Sequence, residues 1–216
     1  TFESMQQLAK KNDFNVIVIK QKINKGKAAA MNVALKQVKT TYFACLDADS
    51  EINASALYES MAVFESRKKE GVAIVTPVMG VDSPKKVIEW MQKIEYATTM
   101  FLVRILSYID CNYVAPGPFS IYRSDIIKKI GGFSEDTITE DQDIAYAIQK
   151  EHFKIVQSPH TKVITRVPNT VKSLYKQRNR WFKGSLQCIR KYKHVILNKE
   201  YGDFGLFQMP FNIFLF

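Results

Sequence analysis

Three clusters in this chain hold residue types able to do chemistry on a phosphorylated substrate. Asp47-Ala48-Asp49 closes an apolar run, Thr139-Glu140-Asp141 follows much later, and Gln177-Arg178-Asn179-Arg180-Trp181 comes last. In that order they could hold a metal-bound diphosphate, supply a carboxylate base and clamp an anionic leaving group. Residues i and i+2 of an extended segment point the same way, so Asp47 and Asp49 suit Mg²⁺ or Mn²⁺, with substrate phosphates completing the octahedron. The plainer reading is an acidic turn, with Asp49 or Ser50 capping the next helix. Asp141, with Glu140 beside it at a helix start, would stay ionised near a cation and take a proton from an acceptor hydroxyl. The competing reading is N-capping by Thr139, with acidic residues matched to the helix dipole. Gln177, Arg180 and Trp181 fall at i, i+3 and i+4 and share one helix face. There the guanidinium suits a diphosphate and the indole a sugar ring, unless Arg180 merely lies along a core Trp. Gly26 and Lys27 stand at a strand-to-helix junction, where a helix N-terminus and an ammonium both attract phosphate. No complete phosphate-loop pattern surrounds them.

These clusters need a scaffold. Residues 2–11 read as a helix, Asn15 to Lys20 as a short buried strand, Lys27 to Lys39 as an Ala-rich helix, and Tyr42 to Leu46 as a second strand running into Asp47. Strand, helix, strand implies a right-handed parallel crossover, with ligands at the carboxyl ends of the strands. A helix from Asn53 or Ala54 to about Lys69, a strand at Val72 to Pro77 and a long helix over Pro84 to Ile109 follow. Ala115-Pro116-Gly117-Pro118 reads as a turn into a strand at Phe119 to Tyr122, and Asp125 to Ile130 as a helix closed by Gly131-Gly132. Glu140 to Glu151 reads as a helix, Lys154 to Gln157 and Lys162 to Arg166 as strands, and Val171 to Lys193 as a long helix. With no convincing linker, the expectation is one α/β domain with a C-terminal helical appendage.

The 216 residues suffice for a real core, and 46% hydrophobic with 24% charged residues is ordinary for a globular chain. The net charge of +10 favours anionic partners, and its excess is concentrated between Lys162 and Lys199, which contains no acidic residue. A nucleic-acid-binding module would share that charge, but no nucleic-acid motif is present, and the acidic clusters would sit badly beside phosphates without a metal. Cys45, Cys111 and Cys188 show neither metal-ligand spacing nor a disulfide framework, which points to a reducing compartment. His152, His160 and His194 lack ligand spacing. Phe204 to Phe216 carries no charge, and at 13 residues it is shorter than the roughly 20 a spanning helix needs. A core helix, an interfacial segment and the start of a longer apolar helix are all compatible with it. The basic stretch before it fits the cytoplasmic face of a membrane.

Taken together, these residues resemble the inverting family 2 glycosyltransferases of GT-A fold, closest to the membrane-embedded, processive cellulose, chitin and hyaluronan synthase-like branch. The matching order is the Lys27 segment, Asp47-x-Asp49, the Pro116-Gly117 turn with Tyr122-Arg123, Gly131-Gly132-Phe133, Thr139-Glu140-Asp141 and Gln177-x-x-Arg180-Trp181. The resemblance implies a Rossmann-like mixed sheet flanked by helices, with its N-terminal strand falling before Thr1. It divides the chain into a catalytic core at 1–166, the helix with the Gln-x-x-Arg-Trp motif at 167–203 and a membrane-proximal apolar segment at 204–216. It implies Asp141 with Glu140 at the catalytic position and Asp49 on Mg²⁺ or Mn²⁺. Lys27, Asp47, Gln177 and Arg180 would bind the nucleotide-sugar diphosphate, with Trp181 and Gly117 at the acceptor. The implied activity is sugar transfer from a nucleotide-sugar, UDP-linked by expectation, to a glycan or lipid-linked hydroxyl at the cell membrane. Single addition to a lipid or protein acceptor is the alternative. The segment Lys27-Ala28-Ala29-Ala30-Met31-Asn32 lacks the Gly common two residues after the Lys in the cellulose synthase branch. Pro116-Gly117-Pro118-Phe119 also differs from that branch's Cys-containing turn.

Overall fold

The computed structural model describes residues 2–11 and 16–215. After helix α1 (Phe2–Lys11), residues 16–20 form no strand, and Val16, Ile17 and Ile19 are exposed. The expected buried strand is therefore not there, and its Asn15 lies outside the described residues. A β-branched run becomes a strand only where a sheet edge receives it, and no described strand pairs with this one. Helix α2 (Lys27–Leu35) leads to β1 (Tyr42–Cys45), β2 (Ser50–Ile52), α3 (Ala56–Ser66) and β3 (Val72–Val81). Helix α4 (Val87–Tyr108), β4 (Ser120–Arg123), α5 (Ser124–Lys129), α6 (Glu140–Lys150), β5 (Lys154–Thr165) and α7 (Val171–Lys191) complete the main body.

The five strands form one mixed sheet in the order β1-β4-β3-β5-β2. Among the described strands only β3 and β5 run parallel; β1 and β3 pair antiparallel with β4, and β2 antiparallel with β5. The parallel crossover anticipated at the start of the chain thus lies in its middle. The two strands expected within 154–166 are one strand, bulged around Pro159, which can donate no ladder bond. The bulge is held by Ser158, Thr161 and Ser60, whose hydroxyls form a buried chain with 2.8 Å links.

Strand alternation divides the core in two. Ile74 stands opposite Tyr122 and Ile155 and packs with Leu35, Ile127, Ile144 and Ile148 from α2, α5 and α6. Val75 stands opposite Ile121 and Val156 and packs with Ala56 and Phe64 from α3. Each such aliphatic side chain taken from water contributes about 1.5–3 kcal/mol. Gly131 and Gly132 close α5 in left-handed conformations (φ 92° and 85°). Asn32 of α2 clasps the next residue, accepting from the Phe133 N–H at 2.8 Å and donating to its carbonyl at 2.7 Å. That clasp fixes the path into α6.

After α7 the chain turns through Lys193–Val195 and Lys199–Tyr201, then makes a π-helical turn, Phe204–Gln208, continuous with α8 (Met209–Leu215). Phe204 and Met209 pack into a third cluster with Tyr146, Cys188, Tyr192 and Val195. The apolar end of the chain is therefore half core: one face is buried, while Leu206, Phe207, Phe211, Ile213 and Phe214 stay exposed.

Candidate active site

All nine residues singled out from the sequence line one cavity of about 540 Å³: Lys27, Asp47, Asp49, Gly117, Glu140, Asp141, Gln177, Arg180 and Trp181. They arrive on five separate segments. The carboxyl end of β1 delivers Asp47. The Ser50 N–H donates to the Asp47 carbonyl at 3.1 Å, so Asp47-Ala48-Asp49 is a turn rather than the expected extended segment. Both carboxylates still reach the cavity, and Ser50 starts a strand instead of capping a helix.

Lys27 opens α2 behind Gly26 (φ 92°), whose N–H is held by the Asn24 side chain at 3.0 Å. Its ammonium is not free. It lies 2.7 Å from Asp47 Oδ1 and 3.3 Å from Glu140 Oε1. Desolvation works against this ammonium, but the Asp47 hydrogen bond and the two negative charges outweigh it and hold its pKa above the ordinary value. The Pro116-Gly117 turn lies against this pair, and a Cβ on Gly117 would stand 2.7 Å from the Lys27 Nζ. The turn is fastened at both ends, by the Phe119 N–H on the Cys45 carbonyl and by the Ala115 N–H on the Asp141 carbonyl at 3.1 Å. Phe119 holds a left-handed conformation (φ 57°), which is strained for a residue with a Cβ.

Asp141 sits in the first turn of α6 and accepts from the Gln142 N–H at 2.9 Å. Burial, and then the charge of Glu140, push its carboxyl up from 3.8 to about 6, against the lowering effects of that N–H and of Lys27. Thr139 holds the N-cap position, but its hydroxyl makes no capping bond; it meets Cys188 Sγ at 3.8 Å on α7. Gly184 lets α7 approach this closely, since a Cβ there would fall on the Thr139 side chain.

The opposite wall belongs to α7 and α4. Gln177, Arg178, Arg180 and Trp181 line it from α7, and Glu95, Tyr96, Thr99 and Met100 from α4. Arg178 bridges the two helices, 2.7 Å from Glu95 Oε2 and with its guanidinium 4.3 Å from the Trp181 ring centroid. The α4 residues gave no signal in the sequence, because an apolar helix does not reveal which of its faces meets a cavity. Arg166, at the end of β5, also lines the cavity and stood out only as part of the basic run.

Asp49 is exposed to the cavity, and no ion pair or hydrogen bond engages it among the described residues. No group of three His, Cys, Asp or Glu able to enclose a metal occurs among them. A free carboxylate on an open cavity fits a hard divalent cation whose other ligands come from phosphate and water. The Gln177 Oε1 is buried with no hydrogen-bond partner among the described residues, another sign of a site built to meet a polar ligand.

The profile of Glycosyl transferase family group 2 matches residues 42–215. Among curated proteins, the chain is 29% identical over 202 residues to a poly-beta-1,6-N-acetyl-D-glucosamine synthase of Staphylococcus epidermidis, covering 93% of this chain and 48% of the relative. It is 26% identical over 217 residues to the synthase of the same description from Staphylococcus aureus strain COL, covering 100% of this chain and 50% of the relative. The chain thus spans about half the length of these relatives. Among solved structures, a Pyrobaculum calidifontis mannosyltransferase in complex with GDP-Man and Mn²⁺ superposes with a TM-score of 0.70 at 17% identity, over 89% of this chain and 51% of that one. S. aureus TarS 1-349 in complex with UDP-GlcNAc gives 0.64 at 20% identity, over 99% of this chain and 61% of that one. These likenesses establish the GT-A fold.

Proposed function

This chain belongs to glycosyl transferase family group 2, and we propose that its cavity carries out inverting transfer of a sugar from a UDP-sugar to a glycan hydroxyl. The observation that carries this reading is the convergence of Lys27, Asp47, Asp49, Asp141, Gln177, Arg180 and Trp181 on one cavity. Asp141 is the general base. It takes the acceptor O–H proton as that oxygen attacks the anomeric carbon, and the carbon–phosphate oxygen bond breaks to release the nucleoside diphosphate. One displacement inverts the anomeric centre. A base partly shielded from water and displaced toward neutral pH suits this step. Arg180 and Gln177 hold the departing diphosphate, and Trp181 offers a ring to the acceptor sugar. Lys27 and Asp47 frame the donor side. Asp49, with Asp47 beside it, would hold Mg²⁺ or Mn²⁺, which when bound neutralises charge on the diphosphate.

UDP-GlcNAc is the donor to try first, because the curated relatives are named for poly-beta-1,6-N-acetyl-D-glucosamine synthesis and TarS binds UDP-GlcNAc in its structure; this reading takes a growing β-linked glycan, extended processively at a membrane, as the acceptor. Attachment to the cytoplasmic membrane face is supported by two features. Val87, Met91, Ile94, Phe101, Ile105 and Tyr108 form an exposed stripe along α4. The exposed side of α7 carries Lys172, Lys176, Lys183 and Arg190, which suits anionic lipid. No helix among the described residues is long and apolar enough to cross a membrane.

Calorimetry of UDP binding to the full-length protein, with Mn²⁺ and then with EDTA, tests the donor site. Metal-dependent binding is expected. It should be weakened by Asp49→Ala and left largely intact by Asp141→Asn, which should abolish transfer. Equal loss of nucleotide affinity in both variants would refute the roles. Only single-addition products from UDP-GlcNAc would refute processivity.

A further inference from the structure

The apolar end of the chain contains two amides where hydrophobic docking alone would need none. Gln208 and Asn212 are one helical turn apart, and both are fully buried, each with 0% exposure, on the face turned toward α6. A buried amide costs about 1–3 kcal/mol unless it is hydrogen-bonded, so its presence in so apolar a segment calls for a partner. Gln208 Nε2 donates to Asn212 Oδ1 at 2.7 Å, and Asn212 Nδ2 donates to the Tyr146 hydroxyl at 2.7 Å. Gln142 Nε2 reaches the same hydroxyl at 3.1 Å, and Gln142 Oε1 accepts from Ser185 Oγ at 2.7 Å. This continuous buried chain links α8, α6 and α7.

Its inner end stands at the chemistry. Gln142 is the residue whose backbone N–H holds Asp141 Oδ1. Ser185 lies one turn beyond Trp181 on α7, and both Gln142 and Ser185 line the cavity. At the outer end the segment is firmly seated. The Tyr146 ring meets Phe204 edge-on at 5.4 Å, and the Leu197 N–H donates to the Gly205 carbonyl at 3.0 Å. Gly205 permits that approach, because a Cβ there would stand 2.5 Å from the Asn198 carbonyl oxygen.

We infer that the segment 204–215 is a positioning strut: Asn212, through Tyr146 and Gln142, sets where the base helix α6 stands against the Arg180–Trp181 helix. Asn212, Tyr146 and Gln208 touch no substrate; they act through Gln142 and Ser185. The inference rests on the proposed role of Asp141.

The test compares wild type with Asn212→Leu, Tyr146→Phe and the double variant in the full-length protein, with UDP-GlcNAc as donor. Each single variant should lower kcat per active site at least tenfold, with KM for the donor and UDP affinity within twofold of wild type. The double variant should be no worse than the poorer single one, since both cut the same chain. Amide exchange at residues 139–146 should accelerate in each. Tyr146→Phe removes a single oxygen, which guards against misfolding of the Leu variant. Unchanged kcat in both single variants, or a loss matched by the unfolded fraction, would overturn the inference. If wild type transferred no sugar from any donor, the proposed function would fall on its own. Exchange at 139–146 would then decide the strut, and unchanged protection there would overturn it.

Discussion

Replacing Asp141 by Asn should stabilise the ligand-free protein while it removes the proposed base. The folded protein holds this carboxyl near 6 against an ordinary value of 3.8, because burial and the charge of Glu140 disfavour its ionised form. In the unfolded chain it loses its proton near its ordinary value, so between about pH 4 and about pH 6 the folded state binds the extra proton. Stability therefore falls as pH rises through that window, and the penalty is complete above it. Two units of displacement correspond to about 3 kcal/mol at most. Asn is neutral throughout and keeps an oxygen to accept the Gln142 N–H. The variant should match wild type near pH 4 and exceed it by up to about 3 kcal/mol above pH 7, or on the order of 5–10 °C in Tm for a chain of this size. Thermal unfolding at about pH 4, 6 and 8 reads this directly. A difference constant across pH, or a variant less stable than wild type at about pH 8, would refute the assignment of burial as the cause. UDP with Mn²⁺ should narrow the gap, because a nearby cation favours the carboxylate.

The same carboxyl predicts an acid limb in kcat/KM, falling tenfold per unit below about pH 6. Glu140→Gln should move that limb to lower pH, since the Glu140 charge helps raise Asp141; an unmoved limb would show that Glu140 does not act on it. Gly184→Ala should destabilise the protein by about 1–3 kcal/mol, because its Cβ would fall on Thr139 where α6 and α7 meet. Denaturant titration checks this, and a neutral substitution would mean that the helices slide apart freely.

Much of the candidate site's lining could be read in the sequence because its residues are chemically distinctive at short spacing. Gln177, Arg180 and Trp181 share a face wherever they form a helix, and Asp47 needs only a strand end before it. Neither inference depended on the topology, so misplacing the parallel crossover did not disturb it. Residues 16–20 show the opposite case. Their β-branched composition is a strand signal, yet pairing is a property of a neighbour the composition does not contain. Glu95 and Tyr96 were hidden for a related reason. On an amphipathic helix, the residue that meets a cavity is selected by the crossing of another helix, here through Arg178. Gln208 and Asn212 could be seen as polar intruders in an apolar run, but Tyr146, which accounts for Asn212, is far away in sequence.

The pairing of charges within the cavity separates its five carboxylates into two kinds, and Glu95 is taken up by Arg178. Lys27 binds Asp47 and Glu140. Asp49 and Asp141 have no ion-pair partner among the described residues. The division follows from reach: an ammonium at the first turn of α2 touches the end of β1 on one side and the start of α6 on the other. The two carboxylates left over are the ones whose proposed tasks require a free oxygen, one for a cation and one for a proton. Gly117 protects that arrangement, because any side chain there would displace the Lys27 ammonium. Had the lysine swung to Asp141 instead, the base would be held well below neutrality as a poor proton acceptor. Placed where it is, Lys27 pairs with Asp47 and Glu140, and its lowering effect on the Asp141 carboxyl is outweighed by burial and the charge of Glu140.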